Sequence, residues 1–373
     1  MAKKLSALHS SYVIDGIARE FTPAQLLDAV TAGTPATPED CPDTIVDETL
    51  DPVGAGYEYD PGKVDTYLAG LSDVRKELPL AFAESYSKGR VAEALIDMLW
   101  LQGNFRLADL QLKASWKWNS DKVGTGAALY ESVKASADYV DALGLKFASY
   151  SYSSASDCDL SFKALLSSDD DGVEDVFVGQ PYRSENPTVS DRRACPSQIV
   201  DDPSSWLVYV PFETCDFRLG GSLLAQTLGF GGGAPPQVED ADYFIDCYEV
   251  IRELVEDGLL LSASTVRVGG LLKALNDMVV GDVGATIDIS NIMKAYQEKN
   301  IVRILFSEIP GVIIQIRDID FDYLDAELLL QDVAFFPLGH PNPDSRDIRV
   351  KASAKSGIQT ILESLIQNAE GED

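Results

Sequence analysis

Histidine is almost absent from this sequence: His9 and His340 are the only two. A His-rich metal centre or an ordinary Ser-His-Asp triad needs imidazole at set positions, so the sequence assembles neither. Long apolar runs are also missing, and no stretch approaches the ~20 residues that span a bilayer. The opening Met1-Ala2-Lys3-Lys4-Leu5 is basic but lacks the apolar core of a secretory signal. The expectation is a soluble intracellular protein, cytoplasmic or in an acidic storage compartment, with no membrane partner. Basic side chains are scarce: 30 Lys and Arg face 60 Asp and Glu, for a formal charge of -30. That excess repels phosphate backbones and argues against nucleic acid as a partner. Near the sequence pI of about 4.3 the repulsion fades, so self-association is expected to depend on pH.

Cysteine is sparse and scattered. Cys41, Cys158, Cys195, Cys215 and Cys247 are odd in number and contain no CxxC pair, which removes the common zinc and redox motifs. Buried or incidental thiols are expected. Cys158 and Cys195 lie in a polar stretch, where exposure and a disulfide in an oxidising compartment stay open, with the pairing unassigned.

What is present suffices for a large core. With 45% hydrophobic residues over 373 positions, the chain is expected to divide into two lobes. Helical spacing of Val91, Leu95, Met98 and Leu99 predicts a helix over 87–102, and Leu129, Val133, Ala137 and Val140 predict another over 126–143. Alternation from Leu107 to Trp118 predicts a half-buried strand, and 206–212 a buried one. An amphipathic helix is expected over 241–257, and β-branched strands at 302–306 and 312–316. Residues 149–205, rich in Ser, Asp and Pro, read as long loops around one or two strands. Strands alternating with helices favour a layered α/β fold.

Chemistry-bearing motifs are few. Gly229 and Gly231 to Gly233 are followed by no Lys-Ser/Thr, so they form a turn rather than a P-loop. Gly269 and Gly270 precede the helical run Leu271 to Met278. Backbone donors there would meet an anion, or the pair makes a tight turn; both readings stand. Glu93 and Asp97 share a helix face at i and i+4, which suits either a residual cation site or a hydrogen-bonded surface.

These glycines carry a resemblance. Leu219-Gly220-Gly221-Ser222-Leu223-Leu224-Ala225-Gln226, then Pro235-Pro236-Gln237-Val238, then Glu256-Asp257-Gly258-Leu259-Leu260 are similar to a block of the phosphoribosylformylglycinamidine synthase family. Val91 to Leu95, Lys113 to Trp116, Ala128 to Ala135 with Ala142 to Leu145, and Leu305 to Gly311 resemble further family blocks in the same order. The likeness covers about residues 80–340 and points to the second synthetase half of the long enzymes, within the aminoimidazole ribonucleotide synthase-like superfamily. It implies an α/β (α+β layered) fold with an N-terminal ferredoxin-like lobe and a C-terminal α/β lobe. The expected division is a divergent segment 1–75, an N-terminal lobe 76–205, a C-terminal lobe 206–350, and a helix with an acidic tail 351–373.

The family holds ATP and magnesium with carboxylates and cationic donors. Glu93 matches a metal-binding glutamate, and Asp97 stands where an asparagine is usual. The His-Asp-x-Ser-Asp-Gly-Gly-Leu block reads Ser264-Thr265-Val266-Arg267-Val268-Gly269-Gly270-Leu271, and the Lys-Asp of a second loop reads Ser151-Tyr152. The resemblance therefore implies a pseudoenzyme without catalytic residues, metal or cofactor, with Glu93, Asp97, Gly269, Gly270 and Glu308 as a vestigial nucleotide site. Its role would be structural self-assembly, in a storage or crystal-like body, or protein interaction, as a homodimer or larger homo-oligomer. The alternatives are a regulatory ATP/Mg-binding module on those five residues and an active ATP-dependent amidoligase.

Overall fold

A computed structural model describes residues 7–32, 43–52, 63, 67–68, 78–103, 105–167, 173–174, 193–279, 281 and 283–351. Cys41, the Asp run at 169–171 and the tail beyond Lys351 lie outside them. The chain divides into two compact units. The first comprises Met1–Pro52, Glu77–Met98 and Phe105–Pro181, and the second Val53–Lys76, Leu99–Asn104 and Tyr182–Asp373.

The first unit opens with a small sheet that composition alone left unread. Strands β1 (Ser11–Ile14), β2 (Ile17–Ala18) and β3 (Thr44–Asp47) run in the order β2-β1-β3, with β1 and β3 parallel. Helix α1 (Pro23–Ala29) starts on a reciprocal capping box between Thr22 and Gln25, with Pro23 in its first turn. Helix α2 (Ala83–Leu99) leads to β4 (Leu110–Trp118), α3 (Thr125–Ala142), β5 (Lys146–Ser154), β6 (Asp159–Ser167) and β7 (Val173–Glu174). The sheet order is β5-β4-β6-β7, with β4 and β5 parallel around α3. Leu110, Leu112, Ala114, Trp116 and Trp118 are all buried, as alternation requires, and so is the α3 stripe of Leu129, Val133, Ala137 and Val140. Trp116 Nε1 donates to Ser132 Oγ at 3.0 Å, and that hydroxyl also meets Ser87 Oγ at 2.7 Å, tying α2, α3 and the sheet together.

Two nine-residue strands, β5 and β6, supply the one or two strands expected within 149–205, and they occupy its start. The Ser-Tyr alternation of β5 is polar on both faces, so a real period of two passes for loop composition.

The second unit holds β8 (Trp206–Pro211), α4 (Leu223–Leu228), α5 (Ala241–Glu256), β9 (Leu260–Val266), α6 (Gly270–Met278) and β10 (Gly284–Asp288). It continues with α7 (Ser290–Ala295), α8 (Ile301–Phe306), β11 (Gly311–Ile316), α9 (Phe321–Leu330), β12 (Phe336–Asn342) and β13 (Ile348–Lys351). The sheet runs β13-β10-β12-β8-β11-β9. Its segment β12-β8-β11-β9 is antiparallel throughout, so the ferredoxin-type order lies in this second unit. The layered α/β class is the one expected.

The strand expected at 302–306 is instead helix α8, a correction with a local cause. Asn300 Oδ1 accepts from Val302 N at 3.0 Å and caps the helix, and a short run buried everywhere but at Arg303 carries too little periodicity to distinguish helix from strand. In β11, buried Gln315 is fully satisfied by Val200 N and O, Ser262 Oγ and Ser205 Oγ, at 2.7–2.8 Å.

Candidate functional site

The turn between β9 and α6 brings three of the five nominated residues together. Gly269 and Gly270 adopt φ of 91° and 74°, the left-handed region that favours glycine. A Cβ on Gly270 would lie 2.8 Å from the Leu305 carbonyl oxygen, so α6 starts where only glycine fits against α8. Both readings of the pair meet here, because the tight turn also aims a donor at an anion. That anion belongs to the chain: Glu308 Oε1 accepts from Gly269 N at 2.9 Å and from Leu223 N at 2.8 Å. One carboxylate thus clamps the starts of α4 and α6.

Thr265 stands where the family pattern has a metal-binding aspartate. It lies in β9 opposite Val312 of β11, is 2% exposed, and its Oγ1 accepts from Trp100 Nε1 at 2.9 Å. Trp100 is itself 1% exposed, so this position belongs to the packed interior. Ser264 and Val268 beside it are half-buried. Ser151 and Tyr152, matched to a family loop, lie within β5 opposite Ser115 and Trp116 of β4.

Glu93 and Asp97 form a separate group in the first unit. Glu93 is 9% exposed and accepts from Arg90 Nη1, one turn earlier on α2. Burial of Arg90 works against its charge, but the attraction of Glu93, with a contribution from Asp97, more than offsets this and holds the guanidinium above its ordinary pKa. A fixed cation of the chain therefore supplies the positive charge that a divalent metal would otherwise bring. Among the described residues, no group of three or more His, Cys, Asp or Glu is placed to hold a metal.

Sequence reasoning missed Glu213, which follows β8, is 2% exposed and faces the residues that lead into α5. Its carboxylate accepts from Thr214 N, Glu239 N and Asp240 N at 2.7–3.1 Å, yet burial raises its pKa above the ordinary value. Glu131 is raised too, again chiefly by burial. An acid whose folded pKa exceeds its unfolded one contributes stability at low pH that is lost as pH rises through the folded value. The chain should therefore gain stability from these groups as pH falls through their raised values towards the ordinary carboxylate range. Glu213→Gln is expected to flatten that slope, read as thermal midpoint against pH.

The described thiols are held in the protonated form. Cys195, whose exposure the polar stretch left open, is only 5% exposed, and burial pushes it up to about 11. Cys215 is pushed up to about 12 by burial, and Cys247 and Cys158 are raised for the same reason. All four are free and disfavour the reactive thiolate.

No family model matches the chain. It is 25% identical over 272 residues to phosphoribosylformylglycinamidine synthase of Homo sapiens, covering 72% of this chain and 19% of the relative. It is also 25% identical over 265 residues to the probable chloroplastic/mitochondrial enzyme of Arabidopsis thaliana, covering 70% and 18%. The chain thus spans about a fifth of the length of these relatives. Thermotoga maritima PurL complexed with FGAR superposes with a TM-score of 0.52 at 14% identity, over 77% of this chain and 45% of that one, and shows the shared fold. In sequence and in fold the chain is thus similar to the formylglycinamidine synthase / aminoimidazole ribonucleotide synthase-like superfamily.

Proposed function

We propose that this chain is a non-catalytic member of the superfamily whose synthetase fold serves as a scaffold for self-association, as a homodimer or larger assembly. The observation that carries the reading is that the surviving site positions already have partners within the chain. Glu308 holds two backbone amides, Glu93 holds Arg90, and Thr265 lies under Trp100. Magnesium triphosphate requires carboxylates directed at the metal and cations directed at the phosphates. The residues present do not fit that group, so no catalytic step runs through it.

Self-association is supported by charge and by exposed apolar side chains. Ile319, Tyr323, Leu329 and Leu330 are exposed on or just before α9. A net charge of -30 holds copies apart at neutral pH, and partial protonation of carboxylates weakens this repulsion. A storage or crystal-like body is the form that such acid-triggered packing would take. Sedimentation velocity from about pH 7.5 to 5 is expected to show assemblies growing as the acids titrate. A monomer throughout that range would remove the assembly half of the proposal.

A further inference from the structure

The first unit contains a cleft of about 1080 Å³ between β3 and β5, apart from the Glu308 turn. Among the described residues, β3 is paired with β1 alone, and β5 is paired with β4 and meets the chain at Val30 to Ala32 on its other side only at Phe147. Ser11 N donates to Asp43 O and Asp15 N donates to Asp47 O. By the two-residue alternation of a ladder, the backbone N–H and C=O groups of Thr44 and Val46 point away from β1. Ala155 N donates to Trp118 O, so the same alternation turns those of Tyr152 and Ser154 away from β4.

The floor of the cleft is fixed. Asp47 accepts from Gly124 N, Gly126 N and Ala127 N at 2.8–3.1 Å, so its charge is already spent on the start of α3. Half-buried Ile45 and exposed Val46 and Val123 add apolar lining. The rim carries exposed Asp43 and Asp121 against Lys122, on a chain whose net charge is -30. Unpaired strand edges recruit extended backbone, an apolar floor takes alternate side chains, and an acidic surround favours positive ones.

We propose that this cleft binds an extended segment of a partner protein with alternating lysine and apolar residues, added as a strand against the β3 or β5 edge. This inference rests on the non-catalytic reading at one point, since Tyr152 of the cleft stands at the Lys-Asp position of the resembled family, but it uses neither the Glu308 turn nor the Glu93 pair, and the peptide titration is read separately from nucleotide binding.

The test titrates the intact chain with the synthetic peptide acetyl-Lys-Val-Lys-Val-Lys-amide and follows binding by calorimetry and amide hydrogen exchange. Saturable binding is expected, with slowed exchange confined to 43–47 and 150–155. An alternately N-methylated peptide, which cannot complete the ladder, is expected to bind at least about tenfold more weakly, as is a Glu-Val-Glu-Val-Glu peptide. Asp121→Lys, at an exposed position, should weaken binding severalfold at low salt while leaving thermal stability unchanged. No saturable binding, protection elsewhere, or equal affinity for the N-methylated or the glutamate peptide would overturn the proposal.

Discussion

Thr265→Asp is expected to destabilise the second unit by roughly 3 kcal/mol and to restore no magnesium or nucleotide binding. The substitution returns the family's residue to its place in the sequence, but that place is buried in β9 beneath Trp100. The indole N–H offers one hydrogen bond, and a buried carboxylate needs either more donors or a cation. Thr265→Val, which removes the acceptor for the indole, should cost about 1–2 kcal/mol. Denaturant unfolding gives both values. A stable Thr265→Asp chain that bound magnesium would show the position to be a dormant metal site.

Glu308→Ala carries the second large effect, a loss of about 3–5 kcal/mol from two charge-assisted hydrogen bonds to Gly269 N and Leu223 N. The starts of α4 and α6 would lose a common acceptor while remaining packed against their neighbours. Glu308→Gln keeps a carbonyl oxygen in place and should cost about half as much. If Glu308 served a nucleotide instead, its removal would reduce nucleotide affinity and leave the unfolding midpoint unmoved. The measurement is the denaturant midpoint of both variants beside the parent chain.

The regular parts of the fold were legible where the side-chain period was strong. The apolar stripe of α3, the alternation of β4 and the buried run of β11 each survived within three residues of their expected bounds. Short or uniformly polar segments failed for a physical reason. Helix α8 is apolar but for Arg303, and β1 and β3 are each four residues long. None of these gives the hydrophobic period that distinguishes helix, strand and loop.

The candidate site was legible by residue type and not by partner. Arg90 precedes Glu93 by one helical turn, so the ion pair that occupies that carboxylate was visible as i,i+3 spacing. The clamp of Glu308 on Gly269 spans 39 positions and the Trp100 cover on Thr265 spans 165, and no local pattern announces contacts of that range. Glu213 was invisible for the same reason, since its partners Glu239 and Asp240 arrive from the start of α5.

The central claim is that the chain's own side chains have taken the places a magnesium nucleotide would need. Calorimetric titration of the intact chain with ATP and magnesium at neutral pH tests it most directly. The account predicts no saturable heat at millimolar nucleotide; micromolar binding that disappears in Glu93→Ala would contradict it.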